Sequence, residues 1–356
     1  MKIKVGILTA PHIEYEQREH TFVLKNVRIG IGFHWDRYED QEFAGSLEIR
    51  TNPDGTHTAI NTLDLEDYLC SVISSEMSAN SPMELLKAHA VISRSWAVRA
   101  ISRQHSAFRN HEGFDVCADD HCQRYEGLLR MNERAVQAVR ETAGQVLVNV
   151  QRDNVQSTKE EICDCRYYKC CGGRTEIWRT CWEDIDVPYI QSVECPYCGR
   201  INERTLRLVL NDYDQETKDF HDWKISYTAQ ELGDIIREKS GIDFGDIIDL
   251  IPLHRGASGR IDKLRIVGTK HTEDIGKELK IRMWLSRTCL YSSWFEVKKS
   301  SNPQTLKPSN FQLIGHGWGH GAGLCQIGAA QMAEEGFTHE QILSYYYNNT
   351  KLKIEN

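Results

Sequence analysis

Two histidines, two cysteines and four acids fall within twelve positions in HEGFDVCADDHC, residues 111–122. His111, Cys117, His121 and Cys122 are ligand types that zinc prefers, and a set of four describes a closed, structural site. From spacing alone, zinc and a set of free thiols with solvated histidines are both open. Asp115, Asp119 and Asp120 read as loop groups beside the ligands rather than as ligands. A zinc hydrolase acting on peptide bonds would need an open metal position and a base such as Glu112 or Glu126. Four apparent ligands argue against it.

A second candidate is less conspicuous. In YLCSVISSEMSANSPMELLKAHAVISRSWAVRA, Glu76 falls five residues before Ser81, in what reads as a short loop between two apolar elements. Ser81, Pro82 and Glu84 give a helix start signal with a capping box. Lys87 and Arg94 then share one stripe with Ala90, Val91, Ala97 and Val98. Two long cations on an apolar stripe either snorkel to water or line a cleft.

Near the C-terminus, GHGWGHGAGLCQIGAAQMA carries five glycines between 315 and 323. No Gly-Lys-Ser/Thr follows, so it is not a phosphate cradle. Such spacing lets backbone approach a ligand or another strand closely, and His316, His320 and Gln326 become candidate site groups. A tight turn packed under a helix is the plainer reading.

Of the twelve cysteines, Cys163, Cys165, Cys170, Cys171, Cys181, Cys195 and Cys198 cluster tightly. Cys195-Pro196-Tyr197-Cys198 has zinc-knuckle spacing, but a second metal, disulfides and buried free thiols are all compatible with it, and these residues are not assigned to metal.

The elements around these groups mix types. KIKVGIL, TFVLKN and GSLEIR read as strands in a β-rich part, residues 1–66. Helices are expected over 82–104, 131–144, 228–241 and 338–349, and strands in QVLVNV, IDKLRIVG and KELKIRMWL. This predicts an α+β fold, with mixed sheets and helices around a substrate cleft. The parts expected are a core over 67–200, an insert-like α/β region over 201–310, and a C-terminal part over 311–356 that packs back on the core.

Net charge is −8, from 43 basic and 51 acidic residues without a long run of either sign. That excludes nucleic acid as the main partner and is compatible with a polysaccharide. No stretch approaches the ~20 apolar residues of a membrane span. The apolar run near the N-terminus breaks at Pro11-His12, too early for the core of a signal peptide.

Together these segments resemble the SpoIID and amidase-enhancer (LytB) family. YLCSVISSEM matches its Y-L-x-x-V-x-x-S-E-M hallmark, and GWGHGAGLCQIGAAQMA its G-x-G-H-G-x-G-x-x-Q-x-G-A signature. DVCADDHCQRYEG, YYKCCGGRTEIW, PYIQSV, RGASGRIDKLRIVG and SSWFEV follow in family order, so the likeness spans most of residues 3–352. It implies a peptidoglycan lytic transglycosylase with Glu76 as catalytic acid. Lys87, Arg94, Tyr167, Gly172, Gly173, His320 and Gln326 would then bind substrate, and His111, Cys117, His121 and Cys122 one structural zinc. The chain departs from the family in placing Cys170 and Cys171 where small hydroxyl residues are usual. Peptidoglycan glycan strands are the implied partner, with a cell-wall amidase as a further one. The family's other name implies an alternative, a non-catalytic enhancer of an amidase. The resemblance points to the cell envelope, whereas this sequence shows no signal peptide.

The chemistry is consistent with one carboxylate. Glycoside hydrolases usually need two. A lytic transglycosylase can work with one, because the 6-hydroxyl of muramic acid is the nucleophile. Such an acid needs a raised pKa, which a partly apolar pocket supplies.

Overall fold

The computed structural model describes residues 1–33, 36–102, 111–152, 158–211, 214–216, 221–301 and 308–355. Helices and small mixed sheets alternate irregularly along the chain, giving the α+β fold expected. The N-terminal part builds a four-stranded sheet ordered Ser46–Thr51, His57–Asp64, Lys2–Ala10 and Val116–Cys117. The last pairing is parallel and matches Val5 with Val116 and Gly6 with Cys117, so the metal-like segment is clamped to the first strand.

Helix α1 (Leu65–Glu76) leaves this sheet, and α2 (Met83–Ser102) follows. Arg103 and Gln104, expected as the end of α2, lie outside the described residues. Glu76 is the last residue of α1, not a loop residue as its spacing suggested. Tyr68, Leu69, Val72 and Ile73 bury the helix and carry its register through to Glu76. The expected capping box at Ser81 does not form: the Ser81 hydroxyl makes no hydrogen bond. Glu84 instead accepts from the backbone N–H and ring of His339.

Helix α2 is buried from Ala88 through Val98, which makes it a central helix rather than a surface one. Against it pack α3 (Glu133–Glu141), the strand Gln145–Arg152, and the helices Gln326–Glu334 and His339–Tyr346. The expected final helix ends at Tyr346, and the chain returns as a strand, Thr350–Ile354, paired antiparallel with Gln145–Arg152.

A second hydrophobic core draws on residues from Trp223 to Leu313, including Leu232, Phe244, Leu264, Ile281 and Phe311. Here one expectation fails. KELKIRMWL holds a helix, Glu278–Trp284, and not a strand. Leu279, Ile281 and Met283 alternate like a strand. The buried pair is Ile281 with Leu285, one helical turn apart, and Leu279 and Met283 stay exposed. No described helix is long and apolar enough to cross a membrane.

Candidate active site around Glu76 and the adjoining metal-ligand quartet

Glu76 presents its two carboxylate oxygens differently. Oε1 accepts the backbone N–H of Arg124 at 2.9 Å and the hydroxyl of Tyr167 at 2.8 Å. Among the described residues nothing donates to Oε2, and the side chain is only half-buried. One oxygen is therefore fixed and the other is offered outward. Burial raises the Glu76 pKa above the ordinary glutamate value; the Arg124 guanidinium opposes this, Asp120 reinforces it, and both hydrogen bonds oppose it. The C-terminal end of α1 also disfavours a negative charge there. A carboxyl that keeps its proton longer is suited to donating it.

Tyr167 is aimed by backbone. It starts a two-residue strand paired in parallel with Leu324-Cys325. This explains the glycine-rich motif: a Cβ on Gly323 (φ +90°) would lie 2.0 Å from the Arg166 carbonyl oxygen, and one on Gly317 (φ +75°) 2.7 Å from the Cys171 carbonyl. The glycines let two strands meet, which is the close backbone approach their spacing suggested. His320 accepts the Ala322 N–H at Nδ1, so its Nε2–H donates to the Tyr167 carbonyl at 3.0 Å. Burial holds its pKa well below the usual histidine value. The Tyr167 ring lies edge-on to His89, 4.4 Å between centroids. Gln326 reaches His89 Nε2 at 2.9 Å, and burial lowers the His89 pKa to about 3, so this ring is neutral.

Lys169 completes the floor. Its Nζ caps the Glu76 carbonyl at 3.2 Å and pairs with the buried carboxylate of Asp214 at 2.6 Å. Neither residue stood out in the sequence; the signal was only that Lys169 shares a segment with Tyr167.

Arg124 connects Glu76 to the Cys/His segment. It follows Cys122 by two residues, and its guanidinium pairs with Asp120 at 3.0 Å and donates to the Ser75 carbonyl. The donor atoms of His111, Cys117, His121 and Cys122 all lie within 4.8 Å of one another. His111 Nε2 is 3.2 Å from Cys122 Sγ, and His121 Nδ1 is 3.5 Å from Cys122 Sγ and 3.9 Å from Cys117 Sγ. Tetrahedral zinc with bonds of about 2.0–2.3 Å separates its ligands by about 3.3–3.8 Å, so the residues fit the ion. A turn closed by the Cys122 N–H on the Asp119 carbonyl lets the adjacent His121 and Cys122 converge. Glu112 is exposed, and Glu126 is buried against Arg130, so neither joins this quartet.

Comparison with known proteins bears on the family of the chain. A family model described as stage II sporulation protein matches residues 53–149, which hold Glu76 and the quartet. A second, described as a domain of unknown function, matches residues 176–323. An uncharacterized protein of Brachyspira hyodysenteriae is 30% identical over 312 residues, 87% of this chain and 72% of that protein. Stage II sporulation protein D of Bacillus subtilis is 26% identical, over 83% of this chain and 76% of its own length. The chain belongs to the stage II sporulation protein D and amidase enhancer family. The amidase enhancer of Bacillus subtilis is 25% identical over 80% of this chain, which spans 40% of that longer protein.

Within this SpoIID-family chain the residues expected to bind substrate fall into two groups. Tyr167, His320 and Gln326 form one connected set beneath Glu76. Gly172 (φ +78°) packs on Gly317, and Gly173 (φ +115°) has open space where a side chain would stand. Lys87 and Arg94 are not brought to Glu76. Lys87 pairs with Glu84 and Glu141. Arg94 is buried and forks onto Glu66, Nε to Oε1 at 2.8 Å and NH2 to Oε2 at 2.7 Å, with further bonds to the Gln145 and Val139 carbonyls. It neither snorkels nor faces the carboxyl, because α2 is central. His316 bonds Asp222 at 2.6 Å, away from this set.

Proposed function

We propose that the chain is a lytic transglycosylase that cleaves the MurNAc–GlcNAc backbone of peptidoglycan. The observation that carries this reading is the Glu76 carboxyl, its pKa raised by burial, with Oε1 held by two donors and no described donor on Oε2. Of the carboxylates beside it, Asp120 is ion-paired with Arg124 and Asp214 with Lys169, each through one oxygen. A retaining hydrolase would need a second free carboxylate as nucleophile.

In the proposed cycle Glu76 gives the proton on Oε2 to the glycosidic oxygen, and the C1–O bond of the muramic acid breaks. The Glu76 carboxylate then takes the proton of that sugar's own 6-hydroxyl, whose oxygen bonds C1. The product end is a 1,6-anhydro sugar, and Glu76 is again protonated. Tyr167 and the Arg124 N–H hold Oε1 throughout, and the C1 cation formed on cleavage is stabilised by the carboxylate left behind. We further propose that His111, Cys117, His121 and Cys122 bind one zinc. With four protein ligands that ion supplies structure and no open coordination position.

The enhancer reading is favoured by one relative's name, amidase enhancer. Product analysis separates the readings. Anhydro ends on purified glycan strands are expected; reducing ends would mean hydrolysis, free peptides an amidase, and binding without products an enhancer.

A further inference from the structure

Four cysteines from three separate segments of the chain meet in the core. Cys171, Cys195, Cys198 and Cys325 are each buried, and their sulfurs all lie within 4.8 Å of one another. Cys171 and Cys325 are separated by 154 positions. All twelve cysteines are free. Cys171 and Cys198 stand 3.2 Å apart, beyond the ~2.05 Å of a disulfide.

The surroundings suit thiolates. Three backbone N–H groups point at these sulfurs: Cys171 to Cys325 Sγ at 3.2 Å, Gly328 to Cys325 Sγ at 3.3 Å, and Gly173 to Cys171 Sγ at 3.4 Å. Cys325 is the N-cap of the nine-residue helix Gln326–Glu334, where the positive end of the helix favours negative charge. The space is reserved as well. A Cβ on Gly328 would come 2.7 Å from Cys195 Sγ and 3.2 Å from Cys325 Sγ.

Size selects the occupant. Four sulfurs at about 2.3 Å from one zinc are separated by about 3.8 Å. A four-iron cluster spreads its cysteines around a cube of several atoms and needs a wider cage than this.

We infer that Cys171, Cys195, Cys198 and Cys325 form a second, tetrathiolate metal site holding one zinc ion. Binding replaces four S–H bonds by four S–Zn bonds and releases four protons, so no oxidant or reductant is involved. The site pins the segment after Tyr167 to the start of the helix that carries Gln326. It thus braces the Tyr167 side of Glu76, while the His111 quartet braces the Arg124 side.

The test uses the full chain purified without chelator. Total metal and the zinc X-ray absorption spectrum are measured on the unaltered protein, so no variant need fold. Two zinc ions per chain, averaging three sulfur and one nitrogen ligands each, are expected. One zinc with four sulfurs also supports the site, whereas one zinc with two sulfurs and two nitrogens overturns it. A loss of four hydrogens in the intact mass, showing two disulfides, overturns it, as does iron with acid-labile sulfide. Cys195→Ser/Cys198→Ser is expected to lose one zinc and keep the sulfur–nitrogen site. An unchanged metal count in that folded variant overturns the assignment.

Discussion

Tyr167 donates its hydroxyl to Oε1 of Glu76, the oxygen that also accepts the Arg124 N–H, and no described group donates to Oε2. The hydrogen bond favours the charged carboxylate, so removing it raises the Glu76 pKa further. In Tyr167→Phe the alkaline limb of kcat/KM, where the acid loses its proton, is expected to move to higher pH. kcat is expected to fall by about tenfold through lost positioning. A pH–rate profile on glycan strands reads both, and an unmoved limb would separate Tyr167 from the acid.

Glu76→Gln keeps an oxygen for both donors but cannot supply a proton. Glycan cleavage should fall by roughly 10²–10⁴-fold with an unchanged unfolding transition. Release of soluble anhydro fragments is the assay, and near-normal release would remove Glu76 from the mechanism.

Arg94 tests scaffold against substrate contact. Its side chain is 2% exposed and its partner Glu66 is 43% exposed. Arg94→Ala is expected to lower stability by about 3 kcal/mol, from a lost buried fork and orphaned carbonyls. KM for glycan strands should stay the same in the folded fraction. Denaturant titration beside KM decides, since a raised KM at unchanged stability would return Arg94 to the cleft.

Removing the metal proposed for the His111 quartet should act on Glu76 through Arg124. Cys122→Ser is expected to lose the zinc bound by nitrogen and sulfur, to lower Tm, and to lower kcat more than it raises KM. Metal content, Tm and kinetics together check this, and full activity without that ion would make the clamp irrelevant to Glu76.

Glu126 sets a pH dependence of stability. Burial lifts its pKa from 4.5 to about 7, against the pull of Arg124 and Arg130. The folded chain then holds this proton more tightly than the unfolded chain. Stability falls as pH rises from 4.5 to about 7 and levels off above that. The difference amounts to about 3 kcal/mol, so Glu126→Gln should gain that much on the parent between pH 4.5 and 8. Urea midpoints across pH measure it, and parallel curves for the two proteins would contradict it.

Glu76 and the quartet were legible because their chemistry resides in side chains at motif spacing. Arg124 was not, because it serves Glu76 mainly through a backbone N–H that every residue but proline carries. Lys169 and Asp214 meet only through the tertiary fold, 45 positions apart. Lys87 and Arg94 share a stripe on a helix buried on nearly all sides, and each ends in an ion pair, Arg94 inside the core on Glu66 and Lys87 nearer the surface with Glu84 and Glu141. Leu279, Ile281 and Met283 fit a strand period as well as they fit a helix, and the packing of Ile281 with Leu285 decides between them.

The strand pairing that brings Leu324 beside Tyr167, and the bond from Gln326 to His89 across 237 positions, have a consequence in time. The strand that aims Tyr167 at Glu76 finds its partner only when the last part of the polypeptide docks, so an unfinished chain lacks the positioned hydroxyl on Oε1.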